Sequence, residues 1–293
     1  SDLNLMGRLG IGPVGLYRSE FFFMVRNSFP DEDAQYRVYS QVMERCGTHG
    51  ATFRLLDVGG DKPLKYFDWG REENPSLGWR SIRMLLQRPD ILTPHLRALL
   101  RAAQLGEMRI VLPMISTLAE LRELKERLHE AAVSLEAERG RKLRMPPVGI
   151  MIEIPSTVIQ IDAFLAESDF ACLGTNDLIQ YLFAIDRGNE RVADSHHPYH
   201  PAFLQALQRI SEAARAAGKP VTVCGEMAAD PAAVPLLLGL GLTSLSIAPA
   251  AADSVRESLA SLELPACRQL VERVLTLSTA DEIRRETRAF VEG

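Results

Sequence analysis

Residues 148–174 read VGIMIEIPSTVIQIDAFLAESDFACLG, and this one stretch holds a complete strand, helix and strand. VGIMIE (148–153) and FACLG (170–174) are apolar runs of the length that a fully buried parallel strand needs. The residues after Pro155 continue as a helical segment between the two runs. The stretch therefore predicts two parallel strands joined by a helix.

The same alternation runs through the rest of the chain. Five further runs read as buried strands: VGLYR (14–18), TFRLLD (52–57), RIVLPM (109–114), PVTVC (220–224) and SLSIA (244–248). Amphipathic segments separate them. Examples are residues 117–140, whose leucines share one face, and residues 201–219, which Gly218 ends.

With a short piece at Ser76 to Trp79, the seven runs make eight strands. A (β/α)8 TIM barrel of the α/β class has eight parallel strands and about 250 residues. We expect this fold, as one domain over residues 1–293. A doubly wound open sheet ranks second, because it would use fewer strands and leave a topological switch point.

Composition narrows the functional classes. The chain has 293 residues, 46% of them hydrophobic, which is enough for one large core. Its net charge is -5 and its 33 Lys and Arg residues are scattered, so no diffuse basic surface is available for nucleic acid or anionic lipid. An anionic ligand must therefore meet a local cluster of arginines.

The cysteines and the chain start indicate the cellular setting. Four cysteines lie far apart without a CxxC pair, and neither a signal peptide nor an apolar run of membrane-spanning length is apparent. We therefore expect a reduced, cytoplasmic protein. The opening SDLNLMGRLG (1–10) resembles a helix cut short, so we also expect the chain to be the C-terminal fragment of a longer protein.

Polar residues follow the predicted strands at their carboxyl ends, the rim where TIM barrels carry their active sites. They are Arg18, Glu20, Arg54, Asp57, Arg80, Glu153, Asn176, Asp177, Cys224 and Glu226. Arginines from separate elements can converge on one small polyanion, and two carboxylates can hold a hard divalent cation. The set predicts an anion site with a metal beside it.

Each residue alone has a plainer interpretation. A single Arg or Asp at a strand end is usually a surface ion pair or a cap. Glu153 could cap the helix after Pro155, and Asp177 could cap a helix that starts at Leu178. Cys224, inside an apolar strand, could be an inert buried thiol. Their joint placement at six or seven successive strand ends favours a functional site.

Two further motifs give weaker signals. SHHPYH (195–200) contains three histidines that suggest a metal site or a phosphohistidine, but its flanking prolines favour a loop. The glycine pair of DVGGDK (57–62) is a weak indication of a phosphate-binding loop.

Eight motifs together resemble a known family. They are GLYRSEFFFM (15–24), RLLDVGGDK (54–62), ENPSLGWRSIR (73–83), VLPMI (111–115), GIMIEIPS (149–156), LGTNDLIQY (173–181), AIDRGN (184–189) and CGEMAADP (224–231). They resemble the C-terminal phosphoenolpyruvate-binding barrel of Enzyme I, the phosphoenolpyruvate-protein phosphotransferase of the bacterial phosphotransferase system. The same barrel serves pyruvate phosphate dikinase and phosphoenolpyruvate synthase, but the motif spacing is closer to Enzyme I.

The resemblance implies a role for each matched residue. The residues it assigns to the phosphate and carboxylate of phosphoenolpyruvate are Arg18, Arg54 and Arg187, with Arg80 nearby and the amide of Asn176 on the phosphate. It makes Glu153 and Asp177 the Mg2+ ligands. It makes Cys224 the acid that protonates C3 of the enolate.

The resemblance also implies a reaction and partners. Phosphoryl transfer would run from phosphoenolpyruvate to a histidine on an N-terminal domain that this sequence lacks, releasing pyruvate, and a histidine phosphocarrier protein would receive the phosphate. A homodimer is expected, with Phe21, Phe22 and Phe23 as exposed apolar loop residues.

Three alternatives remain open at this level. Residues 187–207 favour the nitrogen-type paralogue over the sugar branch. A stand-alone lyase or aldolase of the phosphoenolpyruvate and pyruvate group would act without a protein partner. A degenerate barrel kept only for dimerisation would not need the complete set of matched residues.

Overall fold

The computed structural model describes residues 5–6, 12–192 and 197–292. The chain divides into two compact units, the first ending at Met151 and the second beginning at Ile152. Each unit consists of parallel strands that alternate with helices. The expected single domain over residues 1–293 stays a prediction.

The strands lie close to the predicted runs. The described residues contain β1 (Val14–Arg18), β2 (Ala51–Arg54), β3 (Met108–Leu112), β4 (Val148–Ile152), β5 (Ala171–Gly174), β6 (Val221–Cys224) and β7 (Ser244–Ser246). In the first unit β1, β2, β3 and β4 pair in chain order, in the second β5, β6 and β7 do the same, and all of these pairings are parallel. This is the order of a TIM-type (β/α) fold, so the predicted fold class is confirmed.

The expected strand at Ser76 to Trp79 was wrong. Pro75–Leu77 form a 3-10 helix, closed by a hydrogen bond from the Gly78 amide to the Pro75 carbonyl at 3.2 Å. Pro75 has no N–H to donate to a strand ladder and fits the first position of a helix instead.

Within the described residues, the first unit contains the α-helices α1 (Glu20–Met24), α2 (Glu32–Cys46), α3 (Ile82–Leu85), α4 (Pro89–Ala102) and α5 (Leu118–Arg139). Helix α5 has clear start and stop signals in the sequence. Thr117 and Glu120 form a reciprocal capping box, with the Thr117 amide 2.8 Å from the Glu120 carboxylate. Gly140 ends the helix in the left-handed conformation.

Among the residues that the structure describes, the second unit contains the α-helices α6 (Pro155–Ile159), α7 (Ile161–Ala166), α8 (Thr175–Phe183), α9 (Pro201–Ala217), α10 (Val234–Gly239), α11 (Ala252–Ala260), α12 (Leu264–Val274) and α13 (Ala280–Glu292). Gly218 ends α9 with a positive φ, as the sequence predicted. The first unit also contains the 3-10 segments Gly47–His49 and Ala103–Leu105, and the second contains Glu226–Ala229 and Pro249–Ala251.

The expectation of three exposed phenylalanines after β1 was wrong for two of them. Phe21 is 54% exposed, but Phe22 is only partly exposed and Phe23 is fully buried. The segment is the short helix α1, so its residues point in different directions. Phe23 packs edge-on against the His95 ring, with centroids 5.6 Å apart.

None of the helices in the described part of the chain is both long enough and apolar enough to cross a membrane. All four cysteines, Cys46, Cys172, Cys224 and Cys267, are buried and outside any disulfide.

Candidate functional site

In the first unit, Arg18 and Arg54 are direct neighbours at the carboxyl ends of β1 and β2, where the strand register pairs them. Two like charges at this spacing repel each other unless an anion lies between them. Glu20 supplies it: Arg18 Nε lies 2.8 Å from Glu20 Oε1, and Arg54 Nη2 binds the same oxygen. Glu20 is fully buried, so its charge is balanced by the two arginines and not by water.

Asp57 is the second buried carboxylate of this group. Arg80 grips it with two bonds of 3.1 Å, from Nε to Oδ1 and from Nη2 to Oδ2. Lys62 Nζ also binds Oδ2, and Arg54 Nη1 lies 3.4 Å from it. Burial alone would raise the pKa of Asp57, but the positive charges of Arg54, Arg80 and Lys62 hold that pKa well below its usual range.

The glycine pair of DVGGDK has a steric explanation here. Gly59 and Gly60 both have positive φ, and a side chain on Gly59 would lie 2.9 Å from the Trp79 carbonyl oxygen. Gly59 and Lys62 exchange two backbone hydrogen bonds, which folds Lys62 back towards Asp57. The pair thus allows the Asp57 loop to pack against Arg80.

The structure separates the predicted arginines by exposure. The Arg18 side chain is 43% exposed, whereas those of Arg54 and Arg80 are 7% and 0% exposed. Arg18 and Arg54 share Glu20, and Arg54 and Arg80 share Asp57, so the three arginines form one connected network. The sequence did not predict a role for Lys62. Its position five residues after Asp57, at the end of a turn that contains two glycines, could have indicated the contact with Asp57.

In the second unit, β5 and β6 bring another set together. Gly174 pairs with Cys224 in the register, and α8 starts at Thr175, directly after β5. Asp177 lies inside the first turn of α8, where a carboxylate faces the positive end of the helix dipole. The cap position belongs to Gly174, so the interpretation of Asp177 as the cap of a later helix was wrong.

Arg187 returns to Asp177 from beyond the other end of α8. Ala184 ends this helix in the left-handed conformation, and the Arg187 amide donates to Gln180 Oε1 at 3.2 Å. Arg187 Nη2 then lies 3.7 Å from Asp177 Oδ1. The spacing of Asp177 and Arg187 in the sequence does not predict this contact, because the contact depends on where α8 ends.

Glu153 follows β4 and is 1% exposed. The cap position of α6 is Ile154, which makes no side-chain cap bond, so Glu153 does not cap this helix. Helix α6 packs against α8, the helix that carries Asp177. Two largely buried carboxylates are oxygen donors of the kind that Mg2+ prefers, so these residues fit that ion.

Within the described residues, no group of three or more His, Cys, Asp and Glu side chains is arranged to hold a metal. A pair of carboxylates therefore leaves most Mg2+ positions to water or to a ligand, which is the usual arrangement for this ion.

Asn176 and Cys224 lie near each other through the same strand pair. Asn176 exchanges two hydrogen bonds with Glu226, and the Thr175 hydroxyl donates to the Cys224 carbonyl at 3.1 Å. The Cys224 thiol is buried and faces the Thr222 carbonyl at 3.7 Å.

The histidine run divides between the described and undescribed residues. His196 lies outside the described residues. His200 caps α9 through Nδ1, which accepts the Ala202 amide at 3.1 Å, and His197 contacts Arg284 of α13. Residues 197–200 are a turn, as their prolines predicted.

Each unit has the parallel strands of an α/β fold, with charged side chains after their carboxyl ends: Arg18 with Glu20 in the first, and Asp177 with Arg187 in the second. Residues 1–264 match the model of the family described as "PEP-utilising enzyme, PEP-binding domain", where PEP is phosphoenolpyruvate, and the chain belongs to this family.

Curated relatives agree with this assignment. The chain is 43% identical over 274 residues to the phosphoenolpyruvate-protein phosphotransferase of Staphylococcus carnosus, covering 94% of this chain and 48% of that protein. It is 43% identical over 270 residues to the one of Bacillus subtilis, covering 92% and 47%. The chain thus spans about half the length of these relatives, and the expected family is confirmed.

Among solved structures, a malate synthase of Haloferax volcanii resembles the chain at a TM-score of 0.49 and 12% identity, covering 79% of this chain and 60% of that one. This likeness is too weak to bear on function.

Proposed function

We propose that this chain binds phosphoenolpyruvate with Mg2+ and supports transfer of its phosphoryl group to a histidine of another domain, releasing pyruvate. The observation that carries the proposal is membership in the phosphoenolpyruvate-binding family over residues 1–264, with all eight expected residues present. The relatives are about twice as long as this chain. We therefore assign to this chain only the part of the reaction that concerns the phosphoryl donor, phosphoenolpyruvate.

Arginines supply the main attraction for the substrate. Phosphoenolpyruvate is close to a trianion, and guanidinium groups bind phosphate and carboxylate oxygens in pairs. The resemblance assigns these contacts to Arg18, Arg54, Arg187 and the Asn176 amide. The exposure of Arg18 supports direct contact, whereas full burial supports a role for Arg80 in holding Asp57.

Glu153 and Asp177 are the proposed Mg2+ ligands. When bound, Mg2+ would neutralise charge that develops on the phosphoryl group and on the enolate oxygen. The chain's own contribution is to hold the carboxylates in place, and the Arg187 contact to Asp177 supports this for Asp177.

Cys224 is the proposed acid. Transfer of the phosphoryl group leaves an enolate, and protonation at C3 converts the enolate into pyruvate. A thiol carries one S–H proton that it can donate. Burial at the end of β6 keeps the Cys224 thiol away from bulk water and supports this assignment.

The remaining assignments extend the proposal. The receiving histidine lies on a separate N-terminal domain, a histidine phosphocarrier protein accepts the phosphate next, the chain acts as a homodimer, and the setting is the cytoplasm. The nitrogen-type branch is preferred over the sugar branch on residues 187–207 alone.

A stand-alone lyase or aldolase is the competing function, and one assay separates the two. The chain is incubated with phosphoenolpyruvate and Mg2+, with and without a phosphorylatable histidine domain from a related phosphotransferase. Pyruvate should form only when that domain is present, in step with its phosphorylation. Turnover of phosphoenolpyruvate by the chain alone would contradict the proposal and favour the lyase.

A further inference from the structure

The chain segments that leave β5 and β6 approach each other unusually closely. A side chain on Gly225 would lie 2.3 Å from Thr175 Oγ1 and 3.0 Å from Asn176 Oδ1, and Gly225 has a φ of +107°. Glycine alone tolerates both the contact and the conformation. Gly225 thus allows Glu226, the next residue, to contact Asn176.

Two hydrogen bonds make this contact reciprocal. The Glu226 amide donates to Asn176 Oδ1 at 3.1 Å, and Asn176 Nδ2 donates to Glu226 Oε1 at 3.2 Å. The backbone bond requires the oxygen of the carboxamide on one side, and the carboxylate requires its nitrogen on the other. An amide held at both ends cannot rotate to exchange its oxygen and nitrogen.

We propose that Glu226 is a positioning residue that orients the Asn176 carboxamide towards the substrate phosphate. Phosphate oxygens only accept hydrogen bonds, so an amide that binds them must present N–H and keep its oxygen turned away. The Glu226 carboxylate enforces this orientation because it, too, only accepts. This inference rests on the proposed binding of phosphoenolpyruvate.

A purely structural role would look different. The bond from Asn176 to the Glu226 carboxylate is exposed to solvent, and an exposed hydrogen bond contributes little to folding because water replaces either partner. The backbone bond from the Glu226 amide remains in any Glu226 variant. Removing the carboxylate should therefore change the ligand affinity and leave the folding stability nearly unchanged.

Three substitutions of Glu226 isolate the hydrogen bond. Glu226→Gln keeps a carbonyl oxygen at the same reach but removes the charge, Glu226→Asp keeps the charge but shortens the reach, and Glu226→Ala removes both. Phosphoenolpyruvate affinity is measured by calorimetry on this chain with Mg2+, with urea unfolding as the check on folding.

We expect Glu226→Ala and Glu226→Asp to weaken affinity about fivefold to tenfold, the scale of one lost hydrogen bond, and Glu226→Gln to stay near wild type. In an Asn176→Ala background, Glu226→Ala should cause no further loss. Equal losses in the Gln and Ala variants, or losses that add in the double variant, would overturn the inference. A wild-type chain that does not bind phosphoenolpyruvate would overturn the proposed function itself.

Discussion

Arg80 spans Asp57 with two parallel hydrogen bonds of 3.1 Å, and neither side chain is exposed. Asp57 also lies 3.4 Å from Arg54, so Arg80 acts on Arg54 through a shared carboxylate. Buried charges of this kind persist only when each is paired, so the network fixes the guanidinium of Arg54 before any ligand arrives.

Removing the Asp57 charge should destabilise the fold. Asp57→Asn keeps the shape but leaves three cations around a neutral amide, and breaking a buried ion pair costs about 3–5 kcal/mol. Urea unfolding measures the change. Asp90→Asn is the matched control, because its pair with Arg88 is largely exposed and should be worth about 1 kcal/mol or less. Equal effects of the two substitutions would show that the Asp57 network carries no special stability.

Acid should weaken the fold through His95. Burial lowers the pKa of His95 to about 3, and its Nε2 accepts the Leu56 amide at 3.1 Å, which requires the neutral ring. In the unfolded chain a histidine titrates near about 6.5. The unfolded state therefore binds more protons between these two values, and stability is lost as pH falls from about 6.5 towards 3.

His95→Gln cannot titrate, so its unfolding free energy should fall less than that of wild type between pH 7 and pH 5. Urea unfolding of both proteins across this range tests the prediction. A difference between the two proteins that stays constant with pH would mean that His95 is not held neutral by the fold.

Substitution at Cys224 should separate chemistry from binding. Cys224→Ala leaves the arginines and carboxylates in place, so the phosphoenolpyruvate affinity should change little. Pyruvate formation with an added histidine domain should fall by about 100-fold to 10,000-fold, as is typical for loss of a general acid. Arg18→Ala is the contrast, because it removes a ground-state contact and should weaken binding itself. Strongly weakened binding in Cys224→Ala, with normal turnover of the fraction that still binds, would make Cys224 a packing residue.

The apolar surface of α1 should support a homodimer. Phe21 in α1 is 54% exposed, and Val25, which follows the last residue of this helix, is 82% exposed. Exposed apolar patches mark surfaces at which proteins associate. Sedimentation at micromolar concentration should show a dimer for wild type and a shift towards monomer for Phe21→Ser. Val133→Ser, at a similarly exposed position on α5, should leave the dimer intact. A monomeric wild-type chain would contradict the prediction.

The features that could be predicted from the sequence are those that depend on local residue patterns, such as the strands. Strand positions were recovered to within a few residues because apolar runs bounded by polar residues mark buried parallel strands. The piece at Ser76 to Trp79 failed because Pro75 favours a helix start and only four residues carried the signal.

The contacts within the site could not be predicted from the sequence because they join residues that are far apart in the chain. Asp57 and Arg80 are 23 residues apart, and Asn176 and Glu226 are 50 apart. The strand ends marked these residues as candidates, but only packing shows that Arg80 faces Asp57 and that Glu226 faces Asn176.

Calorimetric titration of this chain with phosphoenolpyruvate and Mg2+ tests the central claim most directly. Two carboxylates alone hold Mg2+ weakly, and phosphoenolpyruvate oxygens would supply further ligands to the ion. Each ligand should therefore tighten the other by the same factor. Saturable phosphoenolpyruvate binding that strengthens with Mg2+ is the predicted result. Absence of phosphoenolpyruvate binding with Mg2+ present, or tight Mg2+ binding that phosphoenolpyruvate leaves unchanged, would contradict the account.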